Sequence, residues 1–304
     1  MTISWLITGA NGNLGKRLIA SLLEDPDNQV TALVRSARAR SAIEELSLDE
    51  AQVQRLQIEE LSYTNVTELR RAAKDCHRAV HLVGILKETS TASYRDAHED
   101  STAALLEALT GTSVIHLTYM SIVGSSSSAD NSCLASKGRA EDLCTQNALA
   151  SCVLRVPMVL GEGDYASYAL RARATRKLSF TFRAASLEQP IYAGDVVTAI
   201  IAASSRQIDG SLDLGGPEIL DRRALTARAA RLLGGDGSVV SLPLGLGKAM
   251  AAVLGLVSAN PPFTTAMLEV LDHDDGVDAA PALQALGLTQ LTGLDDMLQK
   301  VLVQ

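Results

Sequence analysis

Three glycines near the start of the chain, Gly9, Gly12 and Gly15 in "LITGANGNLG", have the G-x-x-G-x-x-G spacing of a phosphate-binding loop. The first glycine permits a tight turn, the second lets a diphosphate approach the backbone, and the third lets a helix pack closely on a sheet. The free N–H groups and the positive dipole of that helix favour a bound anion. We therefore expect a dinucleotide diphosphate to bind here. The other expected cofactor-binding residues of this loop are Asn11, Asn13 and Leu14.

The residues that follow the second expected strand indicate which dinucleotide binds. Sites for NAD(H) usually carry a carboxylate at this position, where it binds the ribose hydroxyls. This chain has "LVRSARAR" instead, with Arg35, Arg38 and Arg40 and no acid. A guanidinium suits a ribose 2′-phosphate, so the sequence favours NADP(H) over NAD(H). Arg35 is the predicted contact, whereas surface solvation explains the other two arginines.

The elements that must position these residues alternate along the first half of the chain. Apolar runs such as "ISWLI", "QVTALV" and "VQRLQI" alternate with helical segments such as "NLGKRLIASLLE" and "YRDAHEDSTAALLEAL". This alternation predicts an α/β fold, a doubly wound parallel Rossmann sheet whose ligands bind at the carboxyl ends of the strands. We expect an NAD(P)-binding domain over residues 1–160 and a smaller C-terminal substrate lobe over residues 161–304, interleaved with the core.

Composition narrows the class of protein. The net charge of −8 argues against a nucleic-acid binder, since such proteins carry an excess of basic residues. The cysteines form no C-x-x-C pair and no histidine lies at zinc-ligand spacing, so we expect neither a metal site nor a disulfide framework. The N-terminus lacks the basic region of a signal peptide, and no apolar run is long enough to span a bilayer. We expect a cytoplasmic monomer or homodimer that binds a small molecule.

Taken together, these motifs resemble those of the short-chain dehydrogenase/reductase superfamily, in its atypical and extended branches. The glycine loop resembles the cofactor loop of that family, and four later segments resemble its other motifs. Those segments are "HLVGI" (81–85), "LRVPMVLGEGD" (154–164), "IYAGDVVTAI" (191–200) and "LDLGGPEILDRRAL" (212–225). The segment "NPPFTTAMLEVLDHDDGV" (260–277) is similar to the subgroup that contains the NADPH-binding accessory subunit of respiratory complex I and its bacterial, nucleoside-diphosphate-sugar epimerase-like relatives.

The resemblance implies cofactor contacts outside the glycine loop. The backbone that passes beside the adenosine and the nicotinamide ribose is implied to be Leu82, Val83 and Gly84. The resemblance also places Pro157 and Met158 at the nicotinamide face. Glu60 follows the third strand, where relatives carry an acid near the adenine amine, although a surface position explains Glu60 equally well.

The same resemblance implies a Ser–Tyr–Lys reaction centre, of which this chain keeps two members. The family tyrosine exchanges a proton with the substrate oxygen, the lysine lowers the pKa of that tyrosine and holds the nicotinamide ribose, and the serine hydrogen-bonds the substrate carbonyl. Lys137 matches the lysine and Ser121 matches the serine. Cys133 occupies the tyrosine position, four residues before Lys137. A thiol is shorter than a phenol and a poorer hydrogen-bond donor, so it cannot reach where a phenol would.

Three interpretations of Cys133 are open at this point. In the first, the protein binds NADP(H) without reducing a carbonyl, Lys137 keeps only its ribose contact, and Cys133 fills a small buried space. In the second, Tyr119 supplies the proton, with Tyr165 and Tyr168 as further candidates, or hydride passes to a quinone without a phenol. In the third, Cys133 is a reactive thiol with a depressed pKa. The sequence thus predicts either an NADPH-dependent reductase of a quinone, a carbonyl or a nucleotide-sugar-like substrate, or a non-catalytic NADP(H) sensor or assembly protein.

Overall fold

A sheet of parallel strands forms the centre of the computed structural model, which describes residues 2–257 and 274–303. The strands along the chain are β1 (Ile3–Thr8), β2 (Asn28–Val34), β3 (Leu56–Glu60), β4 (Arg78–His81), β5 (His116–Ile122), β6 (Ser151–Val156), β7 (Val159–Leu160), β8 (Leu178–Phe182), β9 (Leu187–Glu188), β10 (Ile191–Tyr192), β11 (Gly210–Asp213), β12 (Leu220–Asp221) and β13 (Ser238–Leu242). Among the described residues, seven strands form the central sheet in the order β11-β6-β5-β4-β1-β2-β3, and every neighbouring pair is parallel. Strand order reverses between β1 and β4, so their carboxyl ends form the expected ligand crevice. The predicted doubly wound Rossmann sheet is confirmed.

Helices cover both faces of this sheet. Along the chain they are α1 (Asn13–Glu24), α2 (Ala37–Glu44), α3 (Glu50–Gln54), α4 (Val66–Ala73), α5 (Ser101–Leu109), α6 (Ser132–Thr145), α7 (Tyr165–Ala174), α8 (Ala193–Ser205), α9 (Arg222–Leu232), α10 (Leu244–Val257), α11 (Ala280–Leu286) and α12 (Leu294–Leu302). The helices α1 and α8 bury apolar residues in a core cluster on one face, whereas α4, α5 and α6 do so on the other. Strands covered on both faces are continuous apolar runs, which explains the lack of polar alternation in "ISWLI".

Two local elements differ from the sequence expectation. The helix expected over "YRDAHEDSTAALLEAL" contains a π-helical turn, Arg95–Asp100, immediately before α5. The third strand begins at Leu56 and not at the start of "VQRLQI". The preceding residues form α3, which is closed by a capping box between Asp49 and Gln52. Such a short helix is stabilised by its cap and leaves little apolar periodicity to read in the sequence.

The second half of the chain contributes both to the sheet and to a separate cluster. Strand β11 extends the central sheet beside β6, and α8 packs against α1. A further apolar cluster is built largely from α7, α9 and α12. The domain boundary at residue 160 and the substrate role of residues 161–304 stay predictions. Of the segment 260–277 that resembles the complex I subgroup, residues 260–273 lie outside the described residues.

Within residues 2–257 and 274–303, no helix is both long and apolar enough to cross a bilayer. The cytoplasmic location and the choice between monomer and homodimer stay predictions.

Candidate functional site

The glycine loop turns from β1 into α1 in a space that excludes side chains. Gly9 has a φ of +69°, and a Cβ added there would lie 3.0 Å from the backbone of Leu82. A Cβ on Gly15 would lie 2.5 Å from the carbonyl oxygen of Ala10. Gly12 is the N-cap of α1 and has no side chain to bond the first N–H groups of the helix. The loop therefore forms a backbone cradle that fits a diphosphate.

A cavity of about 310 Å³ opens over this loop. Its wall consists of Gly9, Gly12, Asn13, Leu14, Gly15, Leu82, Met120, Val159, Asp164, Tyr165 and Ala166. Every predicted residue of the glycine loop except the exposed Asn11 is in this wall. The residues Leu82, Met120 and Val159 are the apolar part of this wall next to the phosphate cradle. This combination suits a ligand that joins a charged diphosphate to a flat ring.

The segment after β7 contacts the first helix, α1, in a way that the sequence analysis did not predict. Arg17 of α1 donates to the Glu162 carbonyl oxygen at 2.6 Å and forms an ion pair with the Glu162 carboxylate at 2.7 Å. Tyr192 donates to the same carboxylate at 2.7 Å. Asp164 and Tyr165 follow and line the cavity, and burial raises the pKa of Asp164. The Arg17–Glu162 pair thus anchors this segment to the first helix.

A tyrosine that the sequence analysis missed lies at the adenosine end of the expected site. Tyr63 follows β3 and is 6% exposed. Its hydroxyl accepts a hydrogen bond from the Gly9 N–H at 3.0 Å and donates one to the Leu33 carbonyl oxygen at 2.8 Å. The exposed Arg35 guanidinium lies 5.5 Å from the centre of the Tyr63 ring. In the part of the chain that the structure describes, no carboxylate forms an ion pair with Arg35.

The neighbouring charged candidates have different surroundings. Arg40 donates to the Ile58 carbonyl oxygen at 2.8 Å and lies 4.0 Å from the carboxylate of Glu44. Arg38 is exposed on α2, and Glu60 is exposed at the end of β3. The predicted contact of Glu60 with an adenine amine stays a prediction.

Lys137 is buried beneath the ends of β4 and β5. Its ammonium donates to the carbonyl oxygen of Met120 at 2.9 Å and to that of Val83 at 3.4 Å. The same nitrogen lies 4.7 Å from the centre of the Tyr119 ring. A Cβ on Gly84 would lie 3.0 Å from it, so a side chain at this position would displace the ammonium. Burial lowers the pKa of Lys137 to about 8.

Two buried histidines flank Lys137. His81 Nδ1 lies 2.6 Å from Thr8 Oγ1, and His98 Nε2 accepts a hydrogen bond from the Ile85 N–H at 3.1 Å. Burial, together with the charge of the nearby Lys137, lowers the pKa of each histidine to about 3. Both rings are therefore neutral near pH 7, and the lysine is the charged member of this group.

Cys133 lies buried in the first turn of α6. The Asn131 side chain caps this helix by accepting from the N–H groups of Cys133 and Leu134. The Cys133 thiol donates to the Ile85 carbonyl oxygen at 3.6 Å. Burial raises the pKa of this thiol to about 11, although Lys137 acts in the opposite direction. A reactive thiol needs a depressed pKa, so these surroundings favour the small buried filler over the reactive thiol.

The Ser121 hydroxyl is bound to a carboxylate inside the protein. It donates to Glu141 of α6, and its oxygen lies 3.3 Å from Ser125 Oγ. Glu141 is 3% exposed and also accepts from Arg155, at 2.9 Å from Nε and at 2.5 Å from Nη2. The single Ser121 proton is thus directed at a charged acceptor and away from a substrate carbonyl. The sequence analysis missed Glu141, which lies one helical turn after Lys137.

The tyrosines considered as replacements for the phenol lie in two different environments. Tyr119 is fully buried and stacks on His81 with 5.6 Å between ring centres. Burial raises the pKa of Tyr119 well above its usual value, and the ring belongs to the core cluster of α4, α5 and α6. Tyr165 is 81% exposed and lines the cavity, whereas Tyr168 is 65% exposed on α7. The role of Tyr119 as a proton donor stays a prediction.

The residues after β6 approach the cavity from the other side. Pro157 is buried, and the Met158 carbonyl oxygen accepts from the Ile191 N–H at 3.0 Å. The next residue, Val159, is the one that lines the cavity. The nicotinamide contacts of Pro157 and Met158 stay predictions. Over the described ranges, no group of three or more His, Cys, Asp or Glu side chains could hold a metal ion.

Comparison with known proteins identifies a family and a distant relative. A family model described as NAD(P)H-binding matches residues 9–187, more than half of the chain, and its match begins at the first glycine of the loop. The mitochondrial NADH dehydrogenase [ubiquinone] 1 alpha subcomplex subunit 9 of Arabidopsis thaliana is 23% identical over 274 residues. That alignment covers 88% of this chain and 67% of the Arabidopsis protein.

Solved structures share the fold at low sequence identity. A nucleoside-diphosphate-sugar epimerase from Staphylococcus aureus gives a TM-score of 0.75 at 15% identity, covering 98% of this chain and 100% of that chain. The Bordetella bronchiseptica enzyme WbmG in complex with NAD gives 0.74 at 15%, covering 100% and 94%. UDP-glucuronic acid 4-epimerase from Bacillus cereus in complex with NAD gives 0.72 at 17%, covering 99% and 96%. At such identities the likeness shows the fold alone.

The family match and the site geometry agree. The matched segment contains the glycine cradle, the Arg35–Tyr63 pair and the buried Lys137, and its description names a nicotinamide dinucleotide as the ligand. The chain therefore belongs to the NAD(P)H-binding family, in the atypical short-chain dehydrogenase/reductase-like group, and binds a nicotinamide dinucleotide.

Proposed function

We propose that the protein binds NADP(H) and does not reduce carbonyl groups by the Ser–Tyr–Lys reaction. One observation carries this proposal: the position expected for the phenol is filled by the buried Cys133, whose thiol donates to the Ile85 carbonyl oxygen. The pKa of that thiol is raised to about 11, so it is neutral near pH 7 and already bonded to the backbone. The Ser121 hydroxyl is likewise bonded to Glu141. Neither group is a free proton donor for a substrate oxygen.

The preference for NADP(H) rests on Arg35. Its guanidinium is exposed just after β2, where a site for NAD(H) usually carries a carboxylate. Because no carboxylate in the described part of the chain pairs with Arg35, a ribose 2′-phosphate would supply the missing anion. A bare ribose gives this arginine no charged partner.

The remaining residues would hold the rest of the dinucleotide. The cradle of Gly9, Gly12 and Gly15 fits the diphosphate, since its backbone leaves room for no side chain at the first and third glycine. Lys137 would hold the nicotinamide ribose, and with a pKa of about 8 it still carries a charge at neutral pH. The apolar part of the cavity wall would exclude water from the nicotinamide ring, which supplies a hydride when bound.

A second candidate function is hydride transfer to a quinone. A quinone becomes a hydroquinone by taking one hydride from the nicotinamide and one proton from solvent, so it needs no phenol in the protein. Two observations favour it: the apolar wall formed by Leu82, Met120 and Val159, and the Arabidopsis relative, which is named as a subunit of an NADH dehydrogenase [ubiquinone]. The same name is compatible with a non-catalytic sensor or assembly role for the bound nucleotide.

Calorimetry and turnover assays test this proposal. We expect NADPH to bind more tightly than NADH, and we expect aldehydes and ketones to be reduced no faster than in buffer. Steady NADPH oxidation with a quinone panel supports the second candidate. Binding that raises thermal stability without turnover on any acceptor supports the non-catalytic role. Enzymatic reduction of an aldehyde or ketone contradicts the proposal.

The variant Arg35→Ala tests the cofactor preference. Loss of a charge-assisted contact with the 2′-phosphate should weaken NADPH binding about tenfold and leave NADH binding unchanged. Arg38→Ala, on the exposed face of α2, is the matched control and should leave both affinities unchanged. Unchanged NADPH affinity in Arg35→Ala contradicts the preference.

A further inference from the structure

We infer that Tyr63 is a specificity-determining residue that links the diphosphate loop to the arginine that selects the 2′-phosphate. The inference rests on the proposed NADP(H) preference and adds a residue to it. Tyr63 is buried between the ends of β1 and β2, and its hydroxyl and its ring contact different parts of the expected site. Each part of the side chain therefore predicts a different effect on dinucleotide binding.

The hydroxyl of Tyr63 acts on the glycine loop. It accepts from the Gly9 N–H at 3.0 Å and donates to the Leu33 carbonyl oxygen at 2.8 Å, so it bridges the ends of β1 and β2. Gly9 has a positive φ, and a Cβ added there would lie 3.0 Å from the backbone of Leu82, so the geometry of the loop is tightly constrained where Tyr63 binds it. Both NADPH and NADH carry the diphosphate that this loop binds. Loss of the hydroxyl should therefore weaken the two dinucleotides equally.

The ring of Tyr63 acts on Arg35. The guanidinium lies 5.5 Å from the ring centre, within the range of a cation–π contact. An exposed arginine otherwise samples many rotamers, and ordering it on binding would weaken the complex. A ring that holds the guanidinium in advance should favour only the ligand that uses the guanidinium. Loss of the ring should therefore lower the selectivity for NADPH over NADH.

The Tyr63 hydroxyl is neutral, which suits a residue that lies between a diphosphate loop and a site for a 2′-phosphate. Burial raises the pKa of its hydroxyl, so Tyr63 stays protonated and can keep donating to Leu33 at neutral pH. A hydroxyl that bridges the two strand ends adds no negative charge beside a 2′-phosphate. The described structure thus joins β1 and β2 through a neutral group, next to a cation without an ion-pair partner.

Two substitutions separate these effects. Tyr63→Phe keeps the ring and removes the hydroxyl, whereas Tyr63→Met removes both and leaves a flexible apolar side chain in their place. The wild type and both variants would be titrated calorimetrically with NADPH and with NADH, and circular dichroism and thermal unfolding would verify the fold. If Tyr63→Met does not fold, Tyr63→Leu, which also lacks both the ring and the hydroxyl, takes its place.

The two variants should give different patterns. Tyr63→Phe should weaken NADPH and NADH by the same factor, about fivefold, and leave their affinity ratio unchanged. Tyr63→Met should weaken both dinucleotides by that common factor. In addition, it should lower the ratio of NADPH affinity to NADH affinity about threefold. In an Arg35→Ala background, Tyr63→Met should leave the ratio unchanged, because the arginine that the ring holds is absent.

The outcomes distinguish this inference from the proposed cofactor preference. The inference is overturned if Tyr63→Phe changes neither affinity, or if the ring-deficient variant keeps the wild-type ratio while Arg35→Ala lowers it. If Arg35→Ala leaves NADPH binding unchanged while Tyr63 is intact, the proposed preference for NADP(H) is wrong. The inference about the Tyr63 ring is then wrong as well, because it depends on Arg35. The expected effect of the hydroxyl on both dinucleotides is measured independently of that result.

Discussion

The two halves of the site differ in what their polar side chains already bind. At the adenosine end, Arg35 lies on the Tyr63 ring and has no ion-pair partner in the described chain. At the proposed nicotinamide end, the Ser121 hydroxyl is bonded to Glu141, and Cys133 is buried at the position where the family resemblance implies a phenol. Binding needs backbone shape and an available cation, whereas proton transfer needs a free donor with a suitable pKa. A chain can therefore keep the first property after losing the groups that provide the second.

The comparison would fail if Cys133 were a reactive thiol at the nicotinamide end. The rate of Cys133 alkylation tests this point, and it is the largest effect that we expect. At pH 7.5, iodoacetamide should modify Cys133 at least about 100-fold more slowly than glutathione, because a thiol with a pKa of about 11 forms far less thiolate than one near 8.5. Site-resolved mass spectrometry measures the rate. Cys76, whose pKa burial also raises to about 11, is the internal control. Labelling of Cys133 at the rate of a free thiol would restore the reactive-thiol interpretation.

The variant Gly15→Ala tests whether the glycine loop binds the diphosphate. The added Cβ would lie 2.5 Å from the Ala10 carbonyl oxygen, so the loop must move. Overpacking of this kind costs about 1–3 kcal/mol, which corresponds to about 5- to 160-fold weaker binding of both dinucleotides if the loop must pay it on binding. Gly245→Ala in α10 is the control, since in the described structure no atom beyond its own helix backbone and its chain neighbours lies within 4 Å of its added Cβ. Calorimetry that finds equal affinities in both variants would rule out the cradle.

At the nicotinamide end, the prediction concerns how the stability of the wild type relative to Lys137→Met depends on pH. Burial lowers the pKa of Lys137 in the folded protein to about 8 from the ordinary value of 10.5, so its charged form destabilises the fold. That penalty is fully present below pH 8 and disappears as the pH rises toward the unfolded-state pKa. The free energy of unfolding of the wild type, relative to Lys137→Met, should therefore increase by about 1 kcal/mol from pH 7.5 to 9. Urea unfolding measures this difference, and a difference independent of pH would show that Lys137 is not desolvated.

The parts of the fold that depend on residues close together in the sequence could be predicted from the sequence. The spacing of Gly9, Gly12 and Gly15 reports a local steric requirement, and the structure shows why the first and third tolerate no side chain. The alternation of apolar runs with amphipathic segments is likewise local, and it was sufficient to predict the parallel sheet. The family motifs around Lys137 implied a lysine that holds the nicotinamide ribose, and this role stays a prediction.

The partners of the site residues could not be predicted in the same way. Tyr63 contacts Gly9 only because β3 lies beside β2 and β2 beside β1, and no local pattern encodes that contact. Glu141 is one of many acids in the sequence until the packing of α6 on β5 brings it to Ser121. The Arg17–Glu162 pair depends in the same way on contact between distant segments. Long-range pairing of this kind leaves no periodic signal.

The position of β11 at the edge of the central sheet has a consequence for biosynthesis. Strand β6 pairs with β5 on one side and with β11 on the other, and β11 ends only at Asp213. A nascent chain or a fragment that stops near residue 160 would leave the hydrogen-bonding edge of β6 open and the apolar face of α1 without α8. Open edges of this kind template aggregation. Expression of the first 160 residues alone should therefore give insoluble protein. During synthesis, roughly two thirds of the polypeptide must leave the ribosome before β11 can complete the sheet.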